Sequence, residues 1–351
     1  MRVCYFGTYE SEDSRNILLM KALEENNVQV IPAHMSYWKF KRAGVNKYLL
    51  FLINSFNNLK LFYKYFFKVG KHDLIVLGSP GEKDINFARF LAFIKRKKII
   101  LDTYPSISSK DAKKVDLLLV DTPQKAEYLS KKLNIGLNKF KVIPFSSKFF
   151  EKNEQKENKK FIINVLGDIT NQNLDLILQT KKAIGETMEL NLIKVNPKKE
   201  SQIKNKKSLV AFIFKIIKRL LPKKKEIIGS KDPNYKFIEE EQLKDIILSS
   251  KICWVFDDLN DLEKSLPKEA FQVLSLNKPL LIEETDATKE AFSKGVIFYK
   301  KDSIIKVLQK LKNDTYYLKQ VSKNGHDLFE EKYNLKKVGK EFVEALEKLF
   351  V

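Results

Sequence analysis

The chain has 351 residues, with 65 Lys and Arg against 44 Asp and Glu, a formal charge of +21. A hydrophobic fraction of 44% with 11% aromatics excludes a disordered chain despite that charge, and the length accommodates two domains of ordinary size. Two cysteines (Cys4, Cys253) and three histidines (His34, His72, His326) exclude a disulfide framework and a Cys/His metal centre, and point to a reducing compartment.

Short β-rich apolar segments alternate with amphipathic stretches from the start, and the alternation predicts the elements in order. Residues 2–6 read as a strand, 14–26 as a helix, 28–32 as a strand and 48–69 as a helix or helix pair. Strands follow at 73–77, 98–102, 116–120 and 140–143, with helices at 84–96 and 122–133 between them. Repeated βαβ units imply a parallel sheet covered on both faces, a Rossmann-like domain over 1–150. EKNEQKENKK at 151–160 has no apolar side chain and reads as a linker.

The pattern then restarts with strands at 161–166 and 189–193 around a helix at 173–184. A basic insertion at 196–234 interrupts it. Helices at 239–249, 268–275 and 288–293 alternate with strands at 252–256, 279–282 and 296–299, and three helices close the chain. A second Rossmann-like domain over 161–334 is the simplest account. Two such α/β domains face each other across a cleft at the carboxyl ends of their parallel sheets, where open α/β structures bind ligands. Gly7, Gly78, Gly81 and Gly167 sit at those strand ends, where a glycine lets backbone approach a ligand or opens a helix whose N-terminus favours phosphate.

The N-terminal apolar run is too short for a secretion signal. The longest apolar runs, 48–53 and 209–214, have six residues each, against roughly 20 for a spanning helix. No membrane crossing is expected.

The charge is concentrated. Residues 26–72 hold eight basic side chains and no acid, and 198–225 hold eleven with only Glu200, so two segments carry 18 of the 21 surplus charges. In SLVAFIFKIIKRLLPKKK, Lys215, Lys218 and Arg219 share one helical face, apolar residues fill the rest, and Lys223, Lys224 and Lys225 follow Pro222. Such a helix suits an anionic membrane surface. For 45–69, lipid contact and ordinary core packing with solvated lysines both stand. In 208–225 the interrupted α/β alternation favours a membrane or partner surface. No zinc-finger, helix-turn-helix or RNP pattern is present, so nucleic acid is not an expected partner.

The stretches LPKEAFQVLSLNKPLLIEETDATKEAF, GVIFYKKDSIIKVLQKLKND and NGHDLFEEKYNLKKVGKEFVEALEKLF resemble the donor domain and closing helix of family 4 glycosyltransferases of the GT-B class. VCYFGTYESEDSRNILLMKALEENNVQV resembles the start of a bacterial or archaeal branch of that group, and GSPGEKD and LLLVDTPQKAEYL extend the match. The resemblance spans most of the chain outside the insertion. It implies a GT-B architecture and transfer of a sugar from a nucleotide-sugar donor, without metal or cofactor, at the cytoplasmic face of the cell membrane. The donor would lie on the second domain and the acceptor on the first, to which the closing helix, 335–351, returns.

Residue by residue, the family's two spaced glutamates fall on Lys264 and Gln272, so the ribose contact would be an amide without a carboxylate's charge. Gly167 is followed by Asp168, and Asn173 stands near an expected lysine, so the cations usual beside a diphosphate are replaced. Glu290 matches a glutamate of the donor loop. Gly7, Thr8, Arg15, Gly78, Gly81, Asp84 and Asp102 fit the first-domain pattern. Histidines frequent in relatives are replaced near Glu82, Lys83 and Lys125. Asp84 and Asp102 are then the candidates for a base, although a strand-end Asp also serves as a helix cap. Lys98, Lys110 or Lys125 would supply phosphate affinity in place of the missing pair. The leading reading is a glycosyltransferase acting on a lipid-linked or saccharide acceptor. The alternative is a catalytically impaired, membrane-associated binding or scaffold protein of the same fold.

Overall fold

A computed structural model describes residues 1–9, 14–35, 47–103, 107–147, 149, 160–167, 169–195, 235–256 and 266–350. Linker positions 151–159, Asp168, Lys264 and the insertion 196–234 with Lys215, Lys218, Arg219, Lys223, Lys224 and Lys225 lie outside the described residues, as do Lys39, Lys41 and Arg42.

Among the described residues the strands form two six-stranded sheets, parallel throughout. The first contains β1 (Arg2–Gly7), β2 (Gln29–His34), β3 (Leu74–Leu77), β4 (Lys98–Asp102), β5 (Leu117–Val120) and β6 (Phe140–Val142), in the order β2-β1-β3-β4-β5-β6. The second contains β7 (Ile162–Gly167), β8 (Glu189–Val195), β9 (Tyr235–Ile238), β10 (Ile252–Phe256), β11 (Leu280–Glu283) and β12 (Ile297–Tyr299), in the order β12-β11-β10-β7-β8-β9. Strands β3, β5 and β10 are buried at every position, as expected where helices cover both faces. Cys4 and Cys253 are free and buried in β1 and β10, and burial pushes both thiols up to about 12.

The helices of the first domain are α1 (Ser14–Glu25), α2 (Lys47–Tyr63), α3 (Ile85–Lys95), α4 (Ser109–Ala112) and α5 (Pro123–Leu133), and a π-helical turn, Lys64–Val69, continues α2. Those of the second are α6 (Asn171–Ile184), α7 (Leu243–Ser249), α8 (Lys268–Ser275), α9 (Asp286–Phe292), α10 (Ile304–Asn313) and α11 (Thr315–Leu328), and the closing helix α12 (Leu335–Glu347) packs back on the first domain. Local chemistry sets their ends. Thr122 Oγ1 accepts from Lys125 N at 3.2 Å ahead of Pro123 at the first helical position. Asn134 closes the same helix in the left-handed conformation. Asn334 starts α12 by accepting from Lys337 N at 2.8 Å.

The first sheet packs Phe6, Leu77 and Leu101 against Leu61, Tyr65, Ala88 and Leu91 on one face. On its other face Val3, Tyr5 and Val76 meet Leu19 and Leu23 of α1 and, from the far end of the chain, Val338, Phe342 and Leu346 of α12. Asn26 ties α12 to α1, donating to Ala22 O at 2.8 Å and Lys336 O at 3.1 Å. Gly339 lets the two helices touch: a Cβ there would lie 2.1 Å from Ala22 O and 2.2 Å from Asn26 Nδ2.

Gly339→Ala is therefore expected to force α12 off α1 and cost about 2 kcal/mol or more, by overpacking against backbone. Urea unfolding midpoints of the two proteins check this.

Candidate functional site

In the first sheet β1 pairs with both β2 and β3, so the chain turns opposite ways from β1 and opens a crevice at the carboxyl ends of β1 and β3. Gly7 ends β1 at φ +120°, and a Cβ there would meet Asp84 Oδ2 at 2.7 Å. The Asp84 carboxylate accepts from Thr8 N at 2.6 Å and Thr8 Oγ1 at 2.8 Å. Across the crevice, Asn16 Oδ1 accepts from Ser79 N at 2.9 Å and from the Tyr5 hydroxyl at 3.0 Å, and Asn16 Nδ2 donates to Ser79 O at 2.6 Å. Gly78 lies against Tyr5, Tyr9 and Asn16 with no room for a side chain, and Gly81 folds back on Gly78 O.

Beneath this lies a buried charge cluster. Arg15 Nε donates to both oxygens of Asp102 at 2.9 Å, its Nη2 donates to Ile143 O at 3.2 Å, and its guanidinium carbon stands 4.8 Å from the Phe145 ring centroid. Next to it Lys125 Nζ lies 3.6 Å from Asp121 Oδ1, and Asp121 Oδ2 accepts from Leu266 N, in the second domain, at 3.1 Å. All four side chains are buried. Burial pulls against the Arg15 charge, but Asp102 and Asp121 outweigh it and hold the guanidinium above its ordinary value. Lys125 is held below the usual lysine range, burial outweighing the attraction of Asp121. Asp84 is raised by burial, against the two Thr8 bonds.

The second sheet repeats the switch at β7, which pairs with β10 and β8. Gly167 ends β7 at φ +97°, and a Cβ there would lie 2.1 Å from Phe256 O. Any other residue would push β7 and β10 apart. Thr170 Oγ1 accepts from Asn173 N at 3.4 Å to start α6, and the Asn173 side chain is buried. Gln272, on α8, is buried, and its Oε1 has no hydrogen-bond partner among the described residues. One turn on, Ser275 Oγ bridges Gln272 O at 2.8 Å and Ser147 Oγ at 2.9 Å, joining α8 to the segment leaving the first domain.

The structure thus gathers Gly7, Thr8, Gly78, Gly81, Arg15, Asp84 and Asp102 at one set of strand ends, and Gly167 with Asn173 at the facing set. Glu290 stands apart from these. Its carboxylate accepts from Gln124 Nε2 at the start of α5, and it lines a cavity of about 560 Å³ between the domains with Thr122, Leu266, Phe271, Tyr333 and Glu341. Neither Gly167 nor Gln272 lines that cavity. Asp84 and Asp102, the candidate bases, are committed to Thr8 and Arg15 at the crevice floor. Two of the lysines expected to hold phosphate are placed otherwise. Lys98 opens β4, about 13 Å of strand before Asp102, and pairs with Asp116 at 3.4 Å. Lys125 is buried on Asp121, while Lys110 is exposed on α4.

Sequence reasoning missed Asp121 and Gln124 as the residues linking the domains. The run DTPQK carried the signal, since it begins at a strand end and places Asp121 and Lys125 one helical turn apart. Glu82 also gains importance. Its Oε1 is buried without a partner among the described residues, and burial, with Asp84 and Asp102 nearby, raises its carboxyl above the usual range. Among the described residues no three His, Cys, Asp or Glu side chains converge as a metal-binding group, and no helix is long and apolar enough to cross a membrane.

No family model matches the chain, and no curated protein sequence matches it. Solved structures do. HepE from Anabaena, in complex with UDP and glucose, superposes with a TM-score of 0.63 at 11% identity over 99% of both chains. The sucrose-phosphate synthase of Thermosynechococcus elongatus gives 0.64 at 11% identity, covering 100% of this chain and 99% of that one. A Rickettsia africae glycosyltransferase gives 0.64 at 10% identity, covering 99% of this chain and 98% of its own. These neighbours are GT-B glycosyltransferases, and the likeness shows that this chain has their two-domain fold.

Two outcomes are expected of the crevice. Arg15→Ala leaves Asp102 charged and buried, and should cost about 3–5 kcal/mol in urea unfolding at neutral pH. Glu82→Gln removes a carboxyl whose folded-state pKa is raised, so wild type loses stability relative to the variant as pH rises from the ordinary carboxylate range through the raised value. Below the ordinary range the two should converge. Unfolding midpoints measured across acidic to neutral pH read this directly.

Proposed function

We propose that the chain is a glycosyltransferase that takes a nucleotide sugar, with UDP as the nucleotide, and passes the sugar to a lipid-linked or saccharide hydroxyl at the cytoplasmic face of the cell membrane. The observation that carries the reading is the pair of facing crevices, each opened by a positive-φ glycine, Gly7 in one domain and Gly167 in the other, at a topological switch point. It is supported by the full-length likeness to HepE, whose solved complexes hold UDP with glucose and UDP-glucose.

In this reading the diphosphate lies at Gly167 and the start of α6, where backbone N–H groups and the helix dipole face it. Gln272 meets the ribose and Asn173 belongs to the donor side, whereas Glu290, held by Gln124, lies apart from them. The acceptor enters over Gly7, Thr8, Gly78 and Gly81, above the platform made by Arg15, Asp84 and Asp102. The bond from the anomeric carbon to the diphosphate oxygen breaks as one to the acceptor oxygen forms. The released diphosphate takes the acceptor's proton, because Asp84 and Asp102 are engaged elsewhere. Charge in the transition state is met by fixed dipoles without metal or cofactor. The basic insertion, with Lys215, Lys218, Arg219, Lys223, Lys224 and Lys225, supplies attraction to anionic lipid.

A second reading, a binding or scaffold protein that has lost turnover, is favoured by Gln272 at the ribose position and by the engagement of Glu290 with Gln124.

Calorimetric titration with UDP, paired with a turnover assay on UDP-sugars, separates the readings. Wild type should bind UDP and turn over a UDP-sugar, and Gln272→Ala should weaken UDP binding by about 1–3 kcal/mol. Absence of binding across a nucleotide panel would remove the enzyme, and UDP binding without turnover of any UDP-sugar would favour the scaffold.

A further inference from the structure

The face of α2 turned away from the sheet is as apolar as the face turned toward it. Leu61, Tyr65 and Val69, four residues apart, are buried on the first domain's core. Half a turn away, Phe51, Leu59, Tyr63 and Phe67 form a second series at the same spacing, with Ser55 completing it. These side chains are 70%, 69%, 56% and 72% exposed. The core takes up the inner series, and among the described residues of the domain the outer ridge stays largely exposed. The ridge continues as a built surface: Tyr63 stacks on Phe67 at 5.0 Å, and Phe62 lies 4.5 Å from Phe66. Lys95 of the neighbouring helix α3 reaches over Phe66 at 5.0 Å. Helix α3 extends the surface with Phe90, Phe93 and Ile94, all exposed, Phe93 at 83%.

Charge accompanies the ridge on both sides. Lys60, Lys64 and Lys68 form a row beside it, one residue further round the helix, and residues 47–72 and 85–101 contain no acidic side chain. Beyond α3 lies a shallow groove of about 960 Å³ at the amino ends of β4 and β5, lined by Arg89, Arg96, Lys97, Lys113 and Lys139 with Asp116 as its acid. Asp116 is bound to Lys98, and Arg89, Arg96, Lys97 and Lys113 have no acidic partner among the described residues.

We propose that this face, formed by α2, its π-helical extension and α3, docks in-plane on an anionic lipid bilayer. The ridge sinks into the headgroup and acyl boundary, the lysine row meets lipid phosphates at its margin, and the groove holds further headgroups. Aromatic and aliphatic side chains aligned along about 25 Å of helix, flanked by lysines and free of acids, match the chemistry of an interfacial helix. An acidic protein surface would satisfy the cations and leave the ridge in water. The proposal deepens the membrane-face part of the reading above and rests on it, and it assigns the contact to the acceptor-side domain in addition to the insertion.

The test is flotation of the full chain with vesicles of phosphatidylcholine alone or with about one-third phosphatidylglycerol, alongside UDP calorimetry on the same preparations. Wild type should float with the mixed vesicles and stay behind with phosphatidylcholine. The exposed-site variant L59S/F67S/F93S should bind mixed vesicles at least tenfold more weakly, and K68Q/K95Q/R96Q should lose the preference for anionic lipid. Both should keep wild-type unfolding midpoints and UDP affinity. Absence of vesicle binding by wild type overturns the proposal. Undiminished binding by L59S/F67S/F93S beside loss in K215Q/K218Q/R219Q overturns it in favour of the insertion alone. A wild-type dimer in light scattering that L59S/F67S/F93S turns monomeric, without lipid binding, overturns it in favour of a second copy of the chain. Failure of every preparation to bind UDP would count against the donor reading and leave the vesicle result to decide the surface.

Discussion

Four ionised side chains, Arg15, Asp102, Asp121 and Lys125, sit out of water at the meeting point of α1, β4, β5 and α5. Ions so buried are tolerated only in company, because the desolvation of each is offset by its neighbours. Each therefore fixes the rest: the entry of α1, the ends of two central strands and the start of α5 become one rigid unit. Asp121 carries the constraint into the second domain through Leu266 N. Two cationic and two acidic side chains pair off within the cluster, so Arg15 and Lys125 are engaged by Asp102 and Asp121.

The two glycines at the switch points solve the same steric problem in different surroundings. Gly7 clears space for the Asp84 carboxylate that organises the Thr8 loop, whereas Gly167 clears space for the carbonyl of Phe256 on the adjacent strand. The sheets around them differ in strand order, so the second domain places two strands beyond its switch on the β7 side while the first has only one. What the domains share is the local device that brings main chain to the edge of the crevice.

Much of this fold could be read from the sequence. Fully buried parallel strands such as LIVL, LLLV and ICWVF are unbroken apolar runs, and their predicted limits lie within about two residues of those observed. Strand β9 was not legible, because it is a four-residue edge strand in which only Ile238 is buried. Side-chain roles were legible only as membership of a crevice. Arg15 and Asp102 are 87 residues apart, Thr8 and Asp84 76, and Gln124 and Glu290 166, and nothing local encodes those pairings. Helix α2 shows the same limit. Its broad apolar face was evident, but the division into an inner and an outer series depends on which side the sheet takes.

The packing of α12 against α1 has a mechanical consequence. The polypeptide passes between the domains twice, once after β6 through Phe145, which joins the second domain's core, and once between Tyr333 and Leu335 as the chain returns. Two covalent tethers restrain sliding and twisting far more than one. They leave as the easiest motion a rotation about the line joining them, so opening and closing of the cleft would follow a single swing.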